Sequence, residues 1–119
     1  MSYTDKIKDV IEGSDVALFM KGTPSFVMCG NSDRALQALR RAGAPVTAVD
    51  ILPDPQIRQE LASISGWPTI PQVFVKGELV GGADIVEELE QSGELAATLR
   101  DKLGDDYAAA RDETTVTLG

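Results

Sequence analysis

The chain has 119 residues, of which 43% are hydrophobic and 25% are charged, the balance of one soluble globular domain rather than of a disordered chain. Eleven Lys and Arg against nineteen Asp and Glu give a net charge of −8, which argues against binding to nucleic acid or to an anionic membrane surface. The absence of His removes the commonest general base and zinc ligand, and the single Cys excludes an internal disulfide, a zinc ribbon and a dithiol active site.

The first half of the chain predicts alternating helices and strands. Residues 4–12 have the apolar spacing of a short amphipathic helix, with Thr4 as its cap. Residues 16–20 form a continuous apolar run, which is typical of a strand buried on both faces. Residues 21–32 predict a loop, because glycine and proline interrupt them, and a helix and a β-branched strand at 45–51 follow.

The second half predicts one more helix, a hairpin and two final helices. Asp54 and Pro55 occupy the cap and first-turn positions of a helix, and Lys76-Gly77 forms the turn between two short strands. This order predicts an α/β fold over residues 1–104, with a mixed, roughly four-stranded sheet and helices on both faces. Residues 105–119 lack a convincing period and predict a loose acidic tail.

The charge is unevenly distributed along the chain. Residues 1–83 hold nine acids and eight bases, a net charge of −1, whereas residues 84–119 hold ten acids and three bases, a net charge of −7. The beginning of the chain carries acids and no apolar run, so we expect no signal peptide, and no segment approaches the ~20 apolar residues of a membrane span. A cytoplasmic, reducing compartment fits the single cysteine best.

Cys29 lies where the loop after the first predicted strand enters the next helix. The N–H groups at a helix start, together with nearby Lys21, favour the thiolate and would make Cys29 nucleophilic or metal-binding. The alternative is a small buried hydrophobic residue, as free cysteines often are. The flanking Pro24 and Gly30 indicate a loop, in which a cysteine is accessible.

Two further segments offer binding groups. Residues 67–71 (WPTIP) predict a rigid extended backbone, and a cis bond before Pro71 would leave the backbone of Ile70 free to pair with an extended thiol peptide. The alternative is the start of an edge strand. Residues 81–84 (GGAD) precede a helix, so their N–H groups can receive a carboxylate and Asp84 an ammonium group. Asp84 can equally serve only to compensate the helix dipole.

Residues 21–39 and 67–89 together resemble the monothiol glutaredoxins. The motifs occur in order: Lys-Gly-Thr-Pro, Cys-Gly-x-Ser, Trp-Pro-Thr-Ile-Pro-Gln-Val-Phe and Gly-Gly-x-Asp. The resemblance spans about residues 4–103. It implies a thioredoxin-like fold, glutathione binding and a [2Fe–2S] cluster held between the two subunits of a homodimer. It also implies BolA-type proteins and apo iron–sulfur proteins as partners.

The resemblance assigns roles to the thiol and to two cations. Cys29 corresponds to the active cysteine and cluster ligand of the family. Lys21 and Arg58 correspond to the cations that hold the glycyl carboxylate of glutathione. Lys and Arg side chains suit this carboxylate, because a hydrogen bond between a cation and a carboxylate is among the stronger polar contacts.

The remaining roles fall on the two motif segments. Thr69 and Ile70 correspond to the residues that meet the cysteinyl part of glutathione, and Pro71 to the cis proline. Ala83, through its backbone, and Asp84 correspond to the pair that binds the γ-glutamyl end.

Two positions depart from the family pattern. Asn31 stands where the Cys-Gly-Phe-Ser motif has Phe, which removes apolar cover beside Cys29 and would either make a cluster more labile or tune redox activity. Ala83 stands where many members have a second Cys, so a disulfide between the two positions is excluded here.

Three functions remain open. A [2Fe–2S] cluster of the usual kind needs four thiolates, of which a homodimer of this chain supplies two, so a carrier would take the other two from glutathione. The first alternative is an enzyme in which Cys29 attacks a protein–glutathione disulfide. The second is a non-catalytic adaptor that docks through the acidic helices at 84–105.

Overall fold

The computed structural model of the chain describes residues 2–118, apart from the side chain of Ala110. Its elements, in chain order, are α1 (Tyr3–Gly13), β1 (Val16–Met20), β2 (Gly22–Thr23), β3 (Phe26–Val27), α2 (Gly30–Arg41), β4 (Val46–Asp50), α3 (Pro55–Ser65), β5 (Gln72–Val75), β6 (Glu78–Gly81), α4 (Ala83–Ser92), α5 (Glu94–Leu103), a 3-10 helix (Tyr107–Ala110) and β7 (Glu113–Val116).

The strands form a mixed five-stranded sheet in the order β6-β5-β1-β4-β7. The central strand β1 runs parallel to β4 and antiparallel to β5, and β5 pairs with β6 in an antiparallel hairpin. The α/β class with a mixed sheet is confirmed, but the expected four strands become five because β7 adds to the edge of β4 in parallel. The predicted loop after β1 also contains a small hairpin of its own, β2–β3.

Two hydrophobic cores lie on the two faces of the sheet. Val16, Leu18 and Met20 point into one core, together with buried residues of α2, α4 and α5. Ala17 and Phe19 point into the other, against α1 and α3. Successive side chains of a strand face opposite sides, so the continuous apolar run of β1 fills both cores. The predicted burial of this strand on both faces is confirmed.

The helix starts differ in two places from the prediction. Ser2, not Thr4, caps α1, because the Ser2 hydroxyl accepts a hydrogen bond from the backbone N–H of Asp5. The hydroxyl of Thr4 instead donates to Glu60 at 2.6 Å and joins α1 to α3. Helix α2 already begins at Gly30, which places Ser32 inside the helix and fully buried.

The expectation of a loose tail is wrong for the end of the chain. Backbone pairing joins β7 to β4, and Arg40 on α2 donates to both carboxylate oxygens of Glu113. Leu118 is buried in the core beneath α1 and α3, and its carbonyl oxygen accepts from Lys6 at 3.0 Å. This segment is held by contacts with residues far away in sequence, and its own sequence of apolar and polar residues cannot predict such contacts. Within residues 2–118, no helix combines the length and the apolar character needed to cross a membrane.

Candidate functional site

Cys29 is the N-cap residue of α2, with extended backbone angles of φ −155° and ψ 133°. Its carbonyl oxygen accepts from the N–H of Asp33, which closes the first turn of the helix. The backbone N–H of Ser32 lowers the pKa of the Cys29 thiol most, and the N–H of Asn31, the Ser32 hydroxyl and the charge of Lys21 act in the same direction. Partial burial opposes them. The thiol is therefore half-buried and held toward its thiolate form, as the position before the helix predicts.

The end of β1 positions the cysteine loop. Asp50, at the end of β4, accepts at 2.9 Å from the N–H of Gly22, and the carbonyl oxygen of Lys21 accepts from Met28. Gly22 has φ +93°, and the Cβ of any other residue would clash with the carbonyl oxygen of Phe26. A glycine is therefore required where the chain turns back toward Cys29.

The segment before β5 is held by one buried amide. Gln72, which is 1% exposed, donates from Nε2 to the carbonyl oxygens of Trp67 at 2.8 Å and Thr69 at 3.2 Å. The bond between Ile70 and Pro71 is cis, as the resemblance implies. Thr69 is exposed and Ile70 is buried. The buried amide therefore fixes the backbone on which Thr69 and Ile70 stand.

The start of α4 packs closely against this segment. A Cβ on Gly82, the N-cap, would lie 3.3 Å from both the carbonyl oxygen of Pro71 and Nε1 of Trp67. Ala83 is buried, and the side chain of Asp84 is exposed in the first turn. The missing side chain at Gly82 lets the two binding segments of the sequence approach each other.

These segments meet in a cleft of about 510 Å³. Its lining includes five of the predicted site residues, Thr69, Ile70, Pro71, Ala83 and Asp84, together with Asn31, Arg34, Trp67, Gly82 and Ile85. Cys29 lies two residues before the cleft residue Asn31. The structure thus brings the WPTIP and GGAD segments together, next to the start of α2.

Three predicted site residues do not line the cleft. Cys29 and Lys21 lie on the segment between β1 and α2, and the charge of Lys21 lowers the pKa of the Cys29 thiol. Arg58 is exposed on α3 and is not among the cleft residues. Within the part of the chain that the structure describes, no cluster of three or more Cys, Asp or Glu side chains could hold a metal ion.

The family model described as Glutaredoxin matches residues 16–80. Over 101 residues the chain is 46% identical to Glutaredoxin 4 of Haemophilus ducreyi, which covers 85% of this chain and 94% of that relative. It is also 51% identical over 98 residues to Monothiol glutaredoxin-S11 of Oryza sativa subsp. japonica. That match covers 82% of this chain but only 20% of the relative, so the chain spans about a fifth of its length. The chain belongs to the monothiol glutaredoxins.

The solved structures agree with this family and with its thioredoxin-like fold. The reduced apo form of poplar GrxS14 is 38% identical, with a TM-score of 0.76 over 86% of this chain and 94% of that one. The expected glutaredoxin fold is confirmed.

For this monothiol glutaredoxin, sequence reasoning missed one charged residue of the cleft, Arg34, and its ion-pair partner Glu87. Arg34, on α2, donates to Asp84 at 2.9 Å and to Glu87 at 2.8 Å, and Nη1 donates to Asn31 at 3.1 Å. The guanidinium lowers the pKa of the Glu87 carboxyl, and Glu87 and Asp84 raise the pKa of Arg34. The only available signal was local: Arg34 follows Asn31 by three residues, so both lie on one face of the helix.

Proposed function

We propose that this monothiol glutaredoxin binds glutathione in the cleft and carries a [2Fe–2S] cluster bridged between two subunits, for iron–sulfur cluster assembly or transfer. One observation supports the proposal most strongly. The only cysteine of the chain, held toward its thiolate form at the start of α2, lies two residues before a cleft lined by Thr69, Ile70, Ala83 and Asp84.

The cleft has the groups that a glutathione molecule needs. Glutathione carries two carboxylates, one ammonium group and a thiol on an extended backbone. Asp84 is exposed at the cleft and can accept from the ammonium group, while the start of α4 offers N–H groups near Ala83. The backbone of Ile70 suits the extended cysteinyl part. The glycyl carboxylate is assigned to Lys21 and Arg58, the two predicted binding cations, neither of which lines the cleft.

The number of thiolates explains why glutathione and a second subunit are both required. A [2Fe–2S] cluster is normally held by four thiolates. Each chain supplies Cys29 alone, so two chains supply two, and two glutathione thiols complete the set. Cys29 suits this role because it is only half-buried and because its lowered pKa increases the fraction of thiolate, which is the form that binds iron. The cluster is then cargo, which the dimer passes to apo iron–sulfur proteins, with BolA-type proteins as further partners.

A second function, thiol transfer, rests on the lowered pKa of Cys29. The Cys29 thiolate would attack the glutathione sulfur of a protein–glutathione disulfide, form a Cys29–glutathione disulfide and release the protein thiolate. A second glutathione thiolate would then attack that same glutathione sulfur, which frees Cys29 and yields glutathione disulfide. This route needs no second cysteine in the chain.

The adaptor alternative has less support. It requires an acidic docking surface on the helices at 84–105, yet Glu87 is paired with Arg34 and Glu90 with Arg41. Both carboxylates are therefore engaged within the fold. For all three functions we propose a cytoplasmic location, where reducing conditions keep Cys29 and glutathione as thiols.

Anaerobic reconstitution with iron, sulfide and glutathione tests the carrier proposal, with the visible spectrum as the readout. We expect sulfide-to-iron charge-transfer bands from the wild type, and none from Cys29→Ser, which keeps the size of the side chain but not the thiolate. Omission of glutathione should also abolish the bands. A wild type that shows no bands, but reduces a mixed disulfide with glutathione, would place thiol transfer first.

A further inference from the structure

Arg34 is the one guanidinium that lines the cleft among the residues that the structure describes, and four hydrogen bonds hold it there. Nε and Nη2 donate to the two carboxylate oxygens of Glu87, at 3.2 and 2.8 Å. Nη2 also donates to Asp84 at 2.9 Å, and Nη1 donates to Asn31 at 3.1 Å. The guanidinium therefore lies between helix α2 and the first turn of α4.

The two carboxylate partners of Arg34 differ in their exposure to water. The side chain of Glu87 is 28% exposed, whereas that of Asp84 is 90% exposed. A two-point contact with a partly covered carboxylate fixes the plane of a guanidinium. A single contact with a fully solvated carboxylate contributes little, because water competes for both groups. Glu87 is thus the anchor of Arg34, and Asp84 is the partner that a ligand can replace.

The donors of Arg34 that Glu87 does not use are available to the cleft. A guanidinium has five N–H donors, of which Glu87 takes two. One Nη1 hydrogen is used by Asn31 and one Nη2 hydrogen by Asp84, which leaves a second Nη1 hydrogen. If Asp84 turns to an ammonium group, the Nη2 hydrogen is released beside it. Arg34 would then offer two N–H donors next to the bound ammonium group.

We propose that Arg34 binds the α-carboxylate of the γ-glutamyl group, while Asp84 binds the ammonium group on the same carbon. The inference rests on the proposed function, in which the cleft takes glutathione. It also follows from the charge at this end of the cleft. Asp84 and Glu87 would together repel a ligand carboxylate, and the positive charge of Arg34 between them removes that repulsion at short range.

Asn31 is a positioning residue in this arrangement. Its amide oxygen accepts from Nη1 of Arg34 and directs that end of the guanidinium toward the cleft. A Phe at this position, as in the Cys-Gly-Phe-Ser motif, would offer no acceptor. Asn31, which replaces the Phe of the family motif, therefore acts together with Arg34 to recognise the α-amino acid group of the ligand.

Calorimetric titration of the reduced full chain with three ligands tests the proposal. The ligands are glutathione, its analogue with γ-aminobutyrate in place of γ-glutamate, which lacks the α-carboxylate, and the glutaryl analogue, which lacks the ammonium group. Wild type should bind the decarboxylated analogue about ten-fold or more weakly than glutathione. Arg34→Gln should weaken glutathione by a similar factor but change the decarboxylated analogue by less than about two-fold. Arg34→Lys, which keeps the charge, should recover part of the loss.

Arg41→Gln is the matched control, because Arg41 also joins α2 to α4, through Glu90, but does not line the cleft. It should bind all three ligands as the wild type does. The proposal is overturned if Arg34→Gln weakens both carboxyl-bearing and decarboxylated ligands equally, or if it tightens glutathione by freeing Asp84. A wild type that binds no glutathione overturns the proposed function itself, and the role of Arg34 with it. Arg34→Lys keeps the charge, so recovery of binding in this variant separates loss of the cation from a folding defect in Arg34→Gln.

Discussion

Replacement of Leu118 by Ala should destabilise the fold, because this residue anchors the final strand. Leu118 is 3% exposed and packs in the core that α1 and α3 cover. Burial of a leucine side chain contributes about 1.5–3 kcal/mol, and Leu→Ala changes in cores cost about 2–5 kcal/mol. The end of the chain can partly collapse into the space left, so we expect the lower part of this range, about 2 kcal/mol. For a domain of this size that corresponds to a fall in Tm of roughly 5–10 °C.

Chemical and thermal denaturation of Leu118→Ala, followed by circular dichroism, measures this loss directly. Thr117→Ala is the matched control, since Thr117 precedes Leu118 and is exposed. It should change the free energy of unfolding by less than about 0.5 kcal/mol. Equal unfolding curves for the two variants would refute the docking of this segment. Glutathione affinity should stay unchanged in both, because neither Thr117 nor Leu118 lines the cleft.

Three further predictions concern the site. Ser32→Ala should raise the pKa of Cys29 more than Lys21→Ala does, because it removes a direct hydrogen bond to the thiolate rather than a more distant charge. The alkylation rate of Cys29, measured against pH, gives the pKa in each variant. A wild-type midpoint at or above about 8.5 would contradict the lowered pKa. Lys21→Ala and Arg58→Ala should each weaken glutathione binding by about 1.5–3 kcal/mol in calorimetric titration, and unchanged affinity in both would remove them from the pocket. With saturating glutathione, Asn31→Phe should slow the loss of the visible bands in air, because a phenyl ring covers Cys29 from water; equal decay would contradict this.

Much of the fold could be predicted from local signals. The apolar run of β1, the Asp54-Pro55 start of α3 and the Lys76-Gly77 turn all occur where the sequence places them. Strand β7 could not be predicted in this way. Its residues are mostly exposed, and its attachment depends on backbone pairing with β4 and on Arg40, both distant in sequence. Val116 is the one strand residue that packs against the core, so the sequence of β7 shows no alternation of apolar and polar residues.

The candidate site was predicted unevenly for the same reason. The WPTIP and GGAD segments carry strong local constraints, and five of their residues meet in the cleft. The N–H groups around Cys29 follow from its place before a helix. The role of Arg34 depends instead on Asp84 and Glu87, about fifty residues away, so only the folded chain brings the three together. Arg58 shows the opposite case, since the resemblance assigns it a role and the cleft lining does not include it.

The composition of the reconstituted complex tests the central claim most directly. Native mass spectrometry of the anaerobically reconstituted protein should show two chains, one [2Fe–2S] cluster and two glutathione molecules in a single species. This stoichiometry follows from one thiolate per chain and four thiolates per cluster. Removal of the cluster should abolish the mass peak of this cluster-bridged dimer. A cluster on a single chain, or a bridged dimer without glutathione, would contradict the account.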